Sequence, residues 1–321
     1  MNQFIKLFKK VGGKQVLKQY WHARVLFFSL IETLILGFSK KSLEIVRLAV
    51  DNKILGKLRK QYNGYIQQYK ADNSKIVNRQ SNKSNYIWVC WLQGIENAPD
   101  IVKKCYDSLE ENIKGKEIIL LTSENLSQYI QLPEYIVEKY NNGIICNAHF
   151  ADLIRLEVLI KYGGTWIDST VLCTSSNIPK YMLDSELFVF QNMKPGLDGQ
   201  ATRISNWFIS AYSNNLILLL VQELLYDYWR KNNFVIDYYI FHDFFELAIE
   251  AYPDEWKKVI PFSNSTPHIL LLNLFEEYNE SLYDATIEQC CFHKLTYKFT
   301  EEQERIEDTL YKFIIRNERM G

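Results

Sequence analysis

An α/β fold, with a mostly parallel sheet covered by helices on both faces, is what this sequence predicts. Three observations predict it. From residue 86 onward, short runs rich in β-branched and aromatic residues alternate with longer helical stretches. Residues 147–170 read as a helix, a Gly163-Gly164 stop and a short apolar strand that ends on Asp168. Hydrophobic residues at 47% and aromatics at 14% can fill a sizeable core in a chain of 321, which excludes a disordered protein.

Residues 1–80 come first and read as a helical, basic extension largely free of catalytic motifs. Within it, residues 24–38 hold an apolar run interrupted by Glu32. That run is too short to cross a bilayer, which takes about 20 apolar residues. Two readings stay open. The segment packs on the body, or residues 1–60 lie in the membrane plane with Lys6, Lys9, Lys10, Lys14, Lys18 and Arg24 on lipid head groups. Residues 71–85 are polar and turn-rich, the composition of a linker, so 81–321 form a separate catalytic domain.

That domain opens with an apolar strand over 86–91, ended by Gln93-Gly94. A helix is expected over 99–109, then a strand over 117–121 ending in Thr122-Ser123. Asn147 is the expected N-cap of the helix that follows, through its side-chain oxygen. Gly163 and Gly164 supply the left-handed backbone that stops this helix and turns the chain. Thr165, Trp166 and Ile167 then form a strand with Asp168 at its C-terminal edge, where open α/β sheets bind ligands. Later strands are expected over 187–191 and 206–210, and helices over 216–228, 238–251 and 302–315.

The net charge of −1 conceals an asymmetry. Residues 1–80 carry sixteen Lys/Arg against four Asp/Glu, about +12, leaving about −13 on the remainder. A basic arm on an acidic body suits anionic lipid. Nucleic acid is not an expected partner, since no zinc-finger spacing, RNP-like motif or aromatic-basic interleaving occurs. The six cysteines show no CxxC and no regular framework, so a reduced, cytoplasmic protein is expected. The first twenty residues are basic without a long apolar run, so no signal peptide is expected. The absence of GxSxG, P-loop and HRD segments disfavours a serine hydrolase or a kinase.

Asp152 and Arg155, three apart, share one helix face. The pattern Ala151-Asp152-x-x-Arg155, Tyr162-Gly163-Gly164, Trp166-Ile167-Asp168-x-Thr170 resembles that of the bacterial capsular polysaccharide synthesis proteins. It is also similar to the sugar-transferring DxD enzymes that include the clostridial glucosylating toxins. The resemblance implies a GT-A-like, Rossmann-type fold with an α-helical N-terminal extension. It also implies a glycosyltransferase moving a hexose from a nucleotide sugar, most readily a UDP-sugar, with retention of configuration. The acceptor it implies is a lipid-linked oligosaccharide in capsule or surface polysaccharide assembly, handled at the inner face of the bacterial membrane.

Transfer from a nucleotide sugar requires that the nucleotide be gripped and the leaving diphosphate neutralised. By the resemblance, Asp168 is the first carboxylate of the DxD pattern and touches the ribose and a divalent metal. Asp152 accepts from sugar or ribose hydroxyls, and Arg155 pairs with phosphate or orients a carboxylate. The second carboxylate of the pattern is Thr170 here, a neutral and weaker ligand for Mn²⁺ or Mg²⁺. His293 is the third candidate ligand, while Lys294 and Lys298 are candidates to neutralise phosphate. Trp91, Gln93 and Gly94, after the first strand, are candidates to seat the base, with Thr122 weaker. Asn206 resembles a position that contacts the donor sugar. Asp237 or Asp243 would contact acceptor or sugar hydroxyls if their helix faces the site, and solvent otherwise. A catalytically weak nucleotide-sugar-binding or scaffold subunit is the alternative function, supported by Thr170.

Overall fold

The computed structural model describes residues 13–72, 81–193 and 202–316. Lys6, Lys9 and Lys10 of the basic arm, and most of the expected linker, lie outside these. Helices α1 (Gly13–His22), α2 (Leu26–Leu36) and α3 (Lys40–Ala71) confirm the helical N-terminal region. The central sheet comprises β1 (Tyr86–Cys90), β2 (Glu117–Leu121), β3 (Gly164–Ile167), β5 (Leu187–Gln191) and β6 (Ile204–Ala211). Its order is β2-β1-β3-β6-β5; the first three strands are mutually parallel, and β6 runs against both its neighbours. The mostly parallel α/β sheet is therefore as expected. A separate ribbon pairs β4 (Val171–Cys173) with β7 (Phe292–Lys294).

Alternation along β1 explains why helices cover both faces. Ile87 and Val89 pack into one core cluster, and Trp88 packs into another with Trp166, Leu153 and Leu156. All three β1 side chains are buried, the pattern of a strand that meets no water on either face. Helix α4 (Asp100–Asn112) links β1 to β2, and α5 (Asn147–Tyr162) leads into β3. Helices α6 (Leu216–Lys231) and α7 (Ile240–Ala251) contribute Leu218, Leu224, Phe244 and Phe245 to the larger cluster.

The glycine pair is tightly constrained. Gly163 and Gly164 have φ of +72° and +99°, and a Cβ on Gly164 would lie 2.4 Å from the Tyr86 carbonyl oxygen. Only glycine lets β3 approach β1 this closely. The end of α5 is thereby fused to the start of β3, which fixes Asp168 relative to Asp152 and Arg155.

Three local expectations fail. The cap of α5 is Cys146, with no side-chain cap bond, and Asn147 is already helical. The Asn147 Oδ1 instead accepts from the Tyr140 hydroxyl at 3.1 Å. The stretch 302–315 is two short helices, Glu301–Glu304 and Leu310–Arg316, because Asp308 takes a left-handed φ of +58° between them. Trp91 lies beyond β1, since the strand ends at Cys90.

Of the two readings of the N-terminal helices, α3 satisfies the packed one. Val50, Ile54, Leu58 and Tyr62 join the main core, and Tyr62 meets the Phe244 ring edge-on at 5.1 Å. Arg59 pairs with Glu250, and the Tyr65 hydroxyl donates to Glu223. Helix α2 behaves differently. Phe27, Leu30, Ile31, Leu34 and Ile35 are exposed and spaced to form one stripe along it. No helix among the described residues is long and apolar enough to cross a membrane.

Candidate functional site

Parallel strands end together, so residues following β1 and β3 share one sheet edge. Because β6 is antiparallel, its beginning lies at that same edge. The segments meet around a cavity of about 1360 Å³ lined by Trp91, Gln93, Asp152, Arg155, Asp168, Thr170, Asn206, Lys294 and Lys298 among others. Nine expected site residues, from five separate segments, thus surround one space.

Asp168 is the hub. Its Oδ1 accepts from Arg155 Nη2 at 3.0 Å and from Trp166 Nε1 at 2.9 Å. Its Oδ2 lies 3.1 Å from Lys294 Nζ, which also donates to the Thr170 hydroxyl. Burial pushes the Asp168 carboxyl up, but Lys294 and Arg155 outweigh it and hold it below the usual carboxylate range. Arg155 bridges Asp168 and Asp152, and Asn206 Nδ2 donates to the same Asp152 oxygen at 2.9 Å. The guanidinium lies against the Trp166 and Phe241 rings, 4.8 and 5.5 Å from their centroids. This buried cation is held by charge and aromatic faces together.

Other expectations land elsewhere. His293 is fully buried, bonds to Thr174 through Nε2, and does not line the cavity; burial lowers its pKa to about 4. Strand alternation is the reason, because β7 turns Lys294 one way and His293 the other. Thr122 serves a turn, its amide donating to Asn125 Oδ1, and neither it nor Gly94 reaches the cavity. Asp237 and Asp243 are buried away from it. His242 of the same helix does reach it, its Nδ1 buried without a protein partner among the described residues. Burial and the Arg155 charge lower its pKa to about 3, so it presents a neutral imidazole.

Residues not anticipated also contribute. His149 lines the cavity and bonds to the Tyr238 carbonyl at 3.1 Å. His268 lines the cavity too. The spacing His149, Asp152, Arg155 is an i, i+3, i+6 stripe and carried a readable signal for His149. Tyr297 meets Trp91 edge-on at 5.3 Å, making an aromatic wall beside Lys298. Cys146, at the rim, has its thiol lowered to about 7: burial opposes this, and His149 with the first amides of α5 outweigh it. All six cysteines are free.

The expected metal ligands do not assemble. Thr170 is neutral and already accepts from Lys294, and Asp168 is shared between two cations. Among the described residues, no group of three or more His, Cys, Asp or Glu is placed to hold a metal ion. The donor set does not fit Mn²⁺ or Mg²⁺, which favour charged oxygens.

A carboxylate held between two cations therefore lies at the C-terminal edge of the sheet, the edge at which α/β folds bind ligands. The chain belongs to the capsular polysaccharide synthesis protein family, whose model matches residues 36–314. Among solved structures it is similar to one titled PaToxG glycosyltransferase, at 17% identity and a TM-score of 0.36, covering 85% of this chain and 98% of that one. It is also similar to the catalytic domain of alpha-toxin from Clostridium novyi, at 12% identity and a TM-score of 0.30, covering 79% and 78%. No curated protein matches the chain.

Proposed function

We propose that this protein transfers a hexose from a nucleotide sugar, a UDP-sugar foremost, to a lipid-linked oligosaccharide in capsular or surface polysaccharide assembly. The observation that carries the reading is the Arg155–Asp168–Lys294 arrangement at the mouth of β3. Asp168 and Asp152 accept from ribose and sugar hydroxyls, and Arg155 orients both carboxylates. Asn206, bonded to Asp152, helps place the sugar. The wall of Trp91 and Tyr297 offers a flat apolar face to the base. Lys294 and Lys298 supply positive charge to the diphosphate.

Retention follows from same-face attack, in which the acceptor oxygen bonds to the anomeric carbon as the phosphate oxygen leaves. The leaving oxygen takes the acceptor's proton. A lipid-linked acceptor is favoured by the exposed stripe of α2, which lies between Arg24 and the Lys40-Lys41 pair. An apolar stripe flanked by cations suits the interface of an anionic bilayer. We place the enzyme there, peripheral on the inner face of the membrane, with 81–321 as catalytic domain and 1–80 as the arm.

Hydrolysis of a small panel of UDP- and GDP-sugars by the purified chain tests the reading. One donor should turn over slowly, and Asp168→Asn should lose about 100-fold or more of that rate, in the range typical of losing a charge aligned with the transition state. Equal turnover by the variant would sink the site. Donor binding without turnover, even with acceptor lipid present, would favour the catalytically weak binding subunit.

A further inference from the structure

We infer that this protein transfers its sugar without a divalent metal ion, because the Lys294 ammonium bridges Asp168 and Thr170 where such an ion would sit. The inference rests on the reading of the cavity as a nucleotide-sugar site. Residues 168 and 170 follow β3 directly, and β4 starts at Val171, paired with Lys294 across the ribbon. That pairing delivers the ammonium between the two side chains. Its Nζ is 3.1 Å from Asp168 Oδ2 and donates to Thr170 Oγ1.

Charge and donor chemistry both argue against a metal sharing this position. The remaining Asp168 oxygen is held by Arg155 and Trp166, and Asp152 is held by Arg155 and Asn206. Two carboxylates are thus already balanced by two cations. A dication would have to displace the ammonium or lie against it, with a neutral hydroxyl as its next ligand. His293, the other candidate ligand, is turned to Thr174. The strand register that puts Lys294 in the cavity also removes His293 from it.

Lys294 has the properties the step requires. An ammonium has three N–H donors, and among the described residues two are engaged by Asp168 and Thr170. The third remains for an oxygen of the diphosphate. As the bond from the anomeric carbon to that group breaks, its electron pair stays on the phosphate oxygen. Lys294 stabilises the new charge by donating a hydrogen bond, with no bond of its own made or broken. The acceptor oxygen forms the new bond, and its proton passes to the departing phosphate. Thr170, Asp168 and Lys294 therefore act together, and Thr170 is a partner for the ammonium instead of a failed metal ligand.

The test is UDP and GDP binding by calorimetry to the full chain, in EDTA and in Mn²⁺, alongside titration of Mn²⁺ alone followed by its EPR signal. The dissociation constant should agree within about twofold between the two conditions, and Lys294→Met should weaken binding about tenfold or more. The protein alone should take up no Mn²⁺ that Asp168→Asn abolishes. Binding that strengthens about tenfold or more in Mn²⁺, or Mn²⁺ uptake that depends on Asp168, overturns the inference and leaves the transferase reading standing. The wild-type comparison decides the matter even if Lys294→Met fails to fold. Absence of any UDP or GDP binding overturns the transferase reading itself, and the inference with it.

Discussion

Arg155 is the residue on which the site's electrostatics turn. It is almost fully buried, compensates Asp152 and Asp168 together, and lies against the Trp166 and Phe241 rings. Arg155→Ala would leave the buried Asp152 without its cation and Asp168 with Lys294 alone, so it should cost about 3–5 kcal/mol of stability as well as activity. Denaturant unfolding measures this; a variant as stable as wild type would show that the pair is not compensated as described. Asp168→Asn is the cleaner probe of function, because the amide keeps the shape. The cavity residues most legible in the sequence were those in the dense block, Asp152, Arg155, Asp168 and Thr170, while Trp91, Gln93, Asn206, Lys294 and Lys298 were read from separate segments. His242 and His268 were not, because nothing in their local spacing marks them. They reach the cavity only because separate segments converge. His293 and Lys294 were read as a pair, whereas alternation in β7 divides them.

Among the elements, the α5–β3 junction is sterically constrained by its glycines, and α3 packs on α7 through Tyr62 and Phe244. Gly164→Ala adds a Cβ 2.4 Å from a backbone oxygen that cannot yield without separating β3 from β1. At φ +99° the alanine is strained as well, so a loss of at least about 1–3 kcal/mol is expected. An unchanged melting temperature would contradict that packing. At the α3–α7 contact, burial and then Asp237 push the Asp51 carboxyl up to about 7, against the attraction of Arg47. A folded pKa raised above that of the unfolded chain means stability is greatest below about 4 and falls as pH rises toward 7. Asp51→Asn should therefore raise the melting temperature near pH 7.5, and the difference should shrink to nothing near pH 4. A difference independent of pH would contradict this. Strands were the best-read elements: 117–121 and 187–191 match β2 and β5 residue for residue, as continuous apolar runs bounded by polar turns. The missed break between Glu304 and Leu310 lies in a polar stretch whose helical composition hides the left-handed Asp308.

At the scale of the whole molecule, the candidate site is the cavity at the sheet edge, and the apolar stripe of α2 is the exposed surface proposed above to meet the membrane. Vesicles containing anionic lipid should sediment the wild-type chain, and Leu30→Ser with Leu34→Ser should release it, because each buried side chain lost removes about 1.5–3 kcal/mol of interfacial affinity. Equal sedimentation of wild type and the double variant would remove the membrane from the account. The sequence showed that the arm was helical, basic and apolar, but not which helix packs and which stays exposed. Buried and interfacial helices share one periodicity, and only the tertiary contacts of Val50, Leu58 and Tyr62 separate α3 from α2. On the proposed reading, the Asp168 cavity holds a nucleotide diphosphate. A crystal structure of the chain soaked with UDP tests it most directly. The diphosphate is expected within hydrogen-bonding distance of Lys294, with the base near Trp91. Ordered UDP bound anywhere else, with the cavity filled by water alone, would contradict the account.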